Sequence, residues 1–290
     1  MRFLSIFLLL AYASLAPAQA VDTTRTYDLD AVVVTADRAV GALAASTAAV
    51  SVIETETLRK LPVAGLQDVL ETLPGFAFLN VDGQRENPQA TIRGFYGGGE
   101  TEYVVILLDG KPLNGLAQGL PDWQSVPLLG IERVEVLRGA SSALYGDAAI
   151  GGVVNLVTNG QNLETTTAQL TAGSFGLVTG EFSQRADRYT VYGGIRRLGG
   201  YRESSDRQYA RIGASYDVLR SATRRLTAST LHSLRNYDDP GALTGEQVEA
   251  DRRQQALPFR FDGLDERTHR IGLDGRQTTA WGEARVAFAA

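Results

Sequence analysis

From Gly160 onward the chain repeatedly alternates between two kinds of residue. Tyr189, Val191, Gly193 and Ile195 share one side of a segment; Ala210, Ile212, Ala214 and Tyr216 stand against Tyr209, Arg211, Gly213 and Ser215; Ile271 and Leu273 stand against Arg270 and Gly272. Period two with one apolar and one polar face is the signature of β-strands, and turns separate the repeats. Two architectures satisfy it. A membrane barrel turns the apolar face to lipid and the polar face to its lumen, whereas a soluble sandwich turns the apolar face inward. The alternation alone does not choose between them. At ~9 to 11 residues per spanning strand plus connections, residues 160–290 hold roughly six to eight strands. Asn236 to Leu264 is long, polar and contains Pro and Gly, and reads as a surface loop.

The start of the chain bears on its location. Arg2, an apolar run from Phe3 to Leu15 and Ala18-Gln19-Ala20 form the pattern of a cleaved secretory signal, which predicts a signal peptide over residues 1–20. The run is shorter than the ~20 residues of a spanning helix, and no other stretch approaches that length, so any further membrane crossing must use strands. There is no cysteine, which removes disulfides, thiol chemistry and Cys-type metal sites. A net charge of −5 lacks the basic excess of a general nucleic-acid binder.

Between these regions lies a stretch of mixed character. Val50 to Glu54 reads as a short strand. Leu66, Val69, Leu70 and Leu73 form one apolar helix face that Pro74-Gly75 ends. Ala90 to Arg93 and Tyr103 to Leu108 read as strands, the second apolar throughout, as if covered on both faces, and closed by an Asp109-Gly110 turn. Ile131 to Thr158 then runs strand, sharp turn, Gly-rich loop and second strand, with Gly139, Gly146, Gly151 and Gly152 permitting turns and close backbone approaches.

That last segment, IERVEVLRGASSALYGDAAIGGVVNLVT, resembles the end of the plug domain of TonB-dependent outer-membrane receptors. Thr91-Ile92-Arg93-Gly94-Phe95 and the run from Leu107 to Asn114 resemble two further plug motifs, in the same order. The family commonly has Pro where this chain has Ala140. The resemblance implies a mainly β protein with a small α+β plug, enclosed in a β-barrel of about 22 strands. It divides the chain into a signal peptide (1–20), an N-terminal segment (21–43), a plug (44–159) and the first part of a transmembrane barrel (160–290). Trp281 to Ala290 alternates and stops at Ala289-Ala290, where barrels of this family usually close on a terminal aromatic residue. This predicts a truncated receptor with an incomplete antiparallel barrel. Open sheet edges leave backbone groups unpaired in lipid, so such a piece is not expected to insert as a working pore.

The same resemblance implies roles for individual residues. Asp30, Ala31, Val32, Val33, Val34, Thr35 and Ala36 resemble the TonB box, a strand that adds to a sheet edge of TonB. Arg93 and Arg138 occupy motif positions whose arginines lock plug to barrel by pairing with barrel glutamates. Loops carrying Arg85, Gly98, Gly99, Glu100, Asn114 and Gln118 are the ligand-contact candidates. The implied function is uptake of a scarce ligand, a ferric siderophore, cobalamin or similar chelate, across the outer membrane, with TonB and outer-membrane lipid as partners. No cofactor is implied. The run Phe95 to Glu100 lacks the Lys-Ser/Thr of a phosphate-binding loop, and His232 and His269 lack catalytic metal spacing, so no catalytic residue and no enzyme activity is expected. The alternatives are a soluble exported β-rich ligand- or carbohydrate-binding surface protein and a non-functional receptor remnant.

Overall fold

The computed structural model describes residues 32–33, 41–42, 49–61, 63, 65–80, 88–94, 103–113, 121–146, 149–158 and 164–290. Val32–Ala290 form one unit. Its first half contains β1 (Val32–Val33) and β2 (Gly41–Ala42), an isolated antiparallel pair, then β3 (Ala49–Glu54), α1 (Thr55–Lys60), α2 (Leu66–Glu71), β4 (Phe76–Leu79) and β5 (Gln89–Ile92). It continues with β6 (Val104–Leu108), β7 (Lys111–Pro112), β8 (Arg133–Arg138), α3 (Ser142–Tyr145) and β9 (Gly152–Val157). A five-stranded sheet forms in the order β3-β8-β9-β6-β7, with β6 and β9 parallel and the other neighbours antiparallel. β4 and β5 make a separate hairpin.

The sequence patterns map onto this small domain with informative differences. β6 is buried from Val104 to Leu107, as its unbroken apolar run requires. Helix α2 buries Leu66, Val69 and Leu70 but ends at Glu71 rather than Leu73. Pro74 disfavours helical backbone at Leu73, and the Thr72 hydroxyl donates back to the Val69 carbonyl at 2.6 Å. Asp109 (φ 50) and Gly110 (φ 78) both take positive φ, the geometry of a two-residue hairpin turn of the type favoured between twisted strands. The turn is tied down at both residues. The Asp109 carboxylate accepts from the Thr158 amide (2.8 Å) and hydroxyl (2.7 Å), and the Gly110 amide donates to Asn155 Oδ1 at 2.9 Å.

Within the sheet, Glu135 is fully buried on β8 yet has its charge met: Arg133 Nε donates to it at 2.8 Å and Asn155 Nδ2 at 3.1 Å. The main apolar core lies on the other face of this sheet and includes Leu70, Ile92, Ile106, Val134, Val136, Val154 and Leu156. At Gly152 β9 lies opposite Arg138 of β8 with no room for a side chain. A Cβ there would lie 2.4 Å from the Leu137 carbonyl oxygen and 3.1 Å from Ile92 Cδ1.

The second half is one continuous meander: β10 (Thr165–Ala172), β11 (Val178–Arg185), β12 (Tyr189–Leu198), β13 (Arg207–Arg220), β14 (Arg224–Asp238), β15 (Gly263–Thr279) and β16 (Gly282–Ala289). Every neighbour is antiparallel and the order is β10 to β16, an open seven-stranded sheet. Connections at one end are short (186–188, 221–223, 280–281), while those at the other end (173–177, 199–206, 239–262) are longer.

The stretch read as a loop from Asn236 to Leu264 is shorter and more ordered than expected. Its ends belong to β14 and β15, and its middle carries α4 (Gly245–Asp251), capped by Thr244 and Gln247. The Arg202 guanidinium gathers the carbonyls of Pro240, Gly241 and Gln254, so the 199–206 connection holds the 239–262 connection in place.

The two faces of this sheet are inverted relative to a soluble sandwich. Leu170 (80% exposed), Ile195 (62%), Ile212 (51%) and Ile271 (61%) point outward, while Tyr209, Arg211, Ser215 and Asp217 on the opposite face are buried. Tyr189 and Tyr216 pair across strands near the short-turn end of the outer face, and Trp281 is exposed in a turn at that end. An apolar band edged by aromatic rings is the surface a strand sheet presents to lipid. No helix among the described residues is long and apolar enough to cross a membrane.

Replacing Gly152 with Val forces a methyl-bearing Cβ into the Leu137 carbonyl. The expected result is a loss of about 1–3 kcal/mol or more in the unfolding free energy of the small domain, read by denaturant titration.

Candidate functional site

The inner face of the large sheet packs on the small domain, and the contact begins with shape. Tyr192 on β12 and Leu231 on β14 belong to the small domain's own apolar core. The Tyr192 ring occupies space left by two glycines. A Cβ on Gly130 would lie 2.9 Å from its Cγ, and a Cβ on Gly213, its cross-strand partner, 2.4 Å from its Cζ.

Around this apolar contact the sheet supplies cations and the small domain supplies backbone acceptors. Arg211 donates to the Gln124 carbonyl at 2.8 Å while pairing with Glu181, the two side chains only 6% and 12% exposed. Arg185 donates to the Gly130 carbonyl at 3.2 Å and lies 3.9 Å from Glu132. Arg270 donates to the carbonyls of Pro112 (3.0 Å) and Leu113 (2.6 Å). Arg285 donates to the Asp109 carbonyl at 3.0 Å and to Asp274 at 2.7 Å. Two cations run the other way, from the small domain to the sheet: the Lys111 ammonium donates to Ser229 Oγ at 2.8 Å and Arg59 to Thr167 Oγ1 at 3.3 Å. Ser233 adds a hydrogen bond to Asp122 at 3.3 Å.

Each arginine takes an inward position of its alternating strand, as Arg211 does between the outward-facing Ala210 and Ile212. A buried guanidinium left without acceptors is strongly unfavourable, so these side chains bind the two layers together. Between the layers lies a cavity of about 510 Å³, lined by polar groups that include Asp122, Arg235 and Arg270 and by Tyr192.

The arginines singled out from the sequence sit elsewhere. Arg93 follows β5 in a positive-φ turn (φ 52), is exposed, and makes no ion pair with a described residue; its amide donates to the Gly75 carbonyl at 2.7 Å. Arg138 ends β8 opposite Gly152, half-buried, and likewise makes no ion pair with a described residue. Of the TonB-box residues, only Val32 and Val33 are described, pairing with Ala42 and Gly41. Asp30, Ala31, Val34, Thr35 and Ala36, and the ligand-contact candidates Arg85, Gly98, Gly99, Glu100, Asn114 and Gln118, lie outside the described residues. Sequence reasoning did not single out Arg185, Arg211, Arg270 and Arg285. The available signal was a charged residue on the polar side of an alternating strand, visible for Arg211, Arg270 and Arg285.

A small mixed domain seated by arginines against the polar face of an open, outward-apolar meander is the arrangement of a plug against part of a β-barrel wall. Comparison with known proteins agrees. Residues 42–153 match the family model of the TonB-dependent receptor plug domain. The vitamin B12 transporter BtuB of Vibrio vulnificus (strain CMCP6) is 35% identical over 177 residues, which covers 60% of this chain and 28% of that protein. Among solved structures, the siderophore receptor PirA from Acinetobacter baumannii superposes with a TM-score of 0.60 at 25% identity, over 83% of this chain and 39% of that one. The ferric citrate transporter FecA in the unliganded form gives a TM-score of 0.68 at 21% identity, again over 83% of this chain and 39% of that one. Residues 42–153 therefore carry the match to the plug domain, and over 177 residues the chain is homologous to the vitamin B12 transporter BtuB. It spans well under half the length of these relatives.

Replacing Arg211 with Met leaves Glu181 enclosed without its cation, and a loss of about 3–5 kcal/mol in stability is expected. Replacing Glu181 with Leu in the same chain removes the stranded carboxylate, and most of that loss is expected to return. A double-mutant cycle by denaturant unfolding in detergent checks both.

Proposed function

We propose that this chain is the plug and first barrel strands of a receptor that takes up a scarce chelate, a ferric siderophore or a cobalamin-like molecule, across the outer membrane. The observation that carries the proposal is the inverted sheet: an apolar face turned outward and an arginine-bearing face closed on the plug. A soluble exported sandwich would bury the face that is exposed here. The names of the relatives, a vitamin B12 transporter and a siderophore receptor, support the chelate class. These relatives are transporters and receptors, and we assign this chain no enzymatic role.

In this reading residues 1–20 direct export and are removed, residues 21–43 carry the TonB-binding segment, residues 44–159 are the plug and residues 160–290 begin the barrel. The long connections 199–206 and 239–262 face outward and the short turns face the periplasm, in keeping with the usual loop asymmetry of such barrels. Ligand bound among the outward loops, including those of Arg85, Gly98 to Glu100, Asn114 and Gln118, shifts an order–disorder equilibrium in Asp30 to Ala36 and releases that strand to TonB. TonB, energised from the inner membrane, then remodels the plug. The plug–barrel contacts made by Arg185, Arg211, Arg270 and Arg285 are those the pull must break, with Arg93 and Arg138 assigned to further barrel contacts.

Deleting Asp30 to Ala36 in the intact receptor gene is expected to abolish chelate uptake by cells while leaving chelate binding to their surface unchanged. Loss of binding together with uptake would refute the assignment of that segment to energy coupling.

A further inference from the structure

The chain has only two histidines, separated by 37 residues, and the strand register brings them face to face. His232 on β14 is the direct cross-strand partner of His269 on β15, and their Nδ1 atoms are 2.6 Å apart. Both lie on the outward face of the sheet. Their strand neighbours Leu231, Ser233, Thr268 and Arg270 point to the plug side, where Leu231 joins the core and Ser233 and Arg270 bond to plug residues.

The ring orientation is set by hydrogen bonds away from the pair. The Thr230 hydroxyl donates to the Arg270 carbonyl at 3.2 Å, so its oxygen is left to accept from Nε2–H of His232 at 2.9 Å. That fixes the His232 tautomer with its proton on Nε2 and its Nδ1 lone pair aimed at the other ring. A metal-binding histidine characteristically has this arrangement: one nitrogen free for the metal and the other donating to an oxygen that holds the ring. Without a metal, His269 donates Nδ1–H into the lone pair. When His269 carries its proton on Nε2 instead, both Nδ1 lone pairs converge on one point.

We propose that His232 and His269 form a bidentate site on the outer face of the sheet for a borderline divalent transition ion of the Cu²⁺, Ni²⁺ or Zn²⁺ class. Imidazole nitrogen suits these ions and not Ca²⁺ or Mg²⁺. Metal–nitrogen bonds of about 2.0–2.1 Å require the two nitrogens to separate slightly, a small side-chain rotation. Among the described residues no third His, Cys, Asp or Glu completes the set, so the two imidazoles are the protein's whole contribution. Access comes from the long-loop end, where the next pairs along the strands are Leu234 with Arg267 and Asn236 with Asp265. The proposal rests on the register and the ring geometry, and holds whichever chelate the receptor carries.

The test uses the full chain in detergent, purified without a polyhistidine tag, with Cu²⁺ alone as the probe. Calorimetric titration should give one site per chain, and pulsed electron paramagnetic resonance of the bound ion should show modulation from two imidazole nitrogens. H232Q and H269Q should each weaken binding at least tenfold, and H232Q should leave at most one imidazole signal. Absence of two-imidazole modulation in the unmodified chain, or unchanged affinity in H232Q, would overturn the proposal. The spectrum of the unmodified chain decides the matter even if a variant folds poorly.

Discussion

The structure depends on satisfying cations on the inner face of the β10–β16 sheet. Arg185, Arg211, Arg270 and Arg285 point away from the apolar outer face, and that side has no bulk water to receive them where the plug is seated. Plug backbone carbonyls at Asp109, Pro112, Leu113, Gln124 and Gly130 are the acceptors. Most of these carbonyls belong to turns and irregular segments, whose backbone groups are not consumed by sheet pairing. The irregular parts of the plug are therefore what the sheet holds.

This arrangement also leaves the two layers separable. A hydrogen bond to a charged donor is worth roughly 1.5–3 kcal/mol, so a handful gives firm seating without covalent attachment. The apolar part of the contact is concentrated at Tyr192 and Leu231. Because Gly130 and Gly213 leave room for the Tyr192 ring, the plug can separate from the sheet without unthreading interlocked side chains from both partners. The plug's internal sheet is held differently. The buried Glu135, Arg133 and Asn155 network and the Asp109 turn tie β6, β8 and β9 into one body.

Much of this was legible in the sequence. The two-faced strands after Gly160, the helix face from Leu66 and the buried strand ending at Asp109-Gly110 each reflect a local rule of periodicity or turn chemistry, and each has its counterpart in the fold. The inward direction of the polar face was not legible, because period two is the same for a barrel and a sandwich; the plug settles it by contacting that face. The arginine contacts were hidden for another reason. Their partners are main-chain carbonyls, which carry no residue signature, so only the cation's place in the alternation was visible. The histidine pair was hidden by distance: it exists only because β14 and β15 are joined by residues 239–262 in one particular register.

The central claim is that the sheet is apolar-out and closed on the plug by its polar face, and the absence of cysteine makes that directly measurable. Single cysteines placed in turn from Ala210 to Val218 on β13, in the receptor in its membrane, can carry a nitroxide whose collisions with oxygen and with a water-soluble nickel complex are compared. The account predicts period two, with residues 210, 212, 214, 216 and 218 in contact with lipid-dissolved oxygen and residues 211, 213, 215 and 217 shielded from both agents. Polar positions open to the aqueous complex with apolar positions shielded, the pattern of a soluble sandwich, would contradict it.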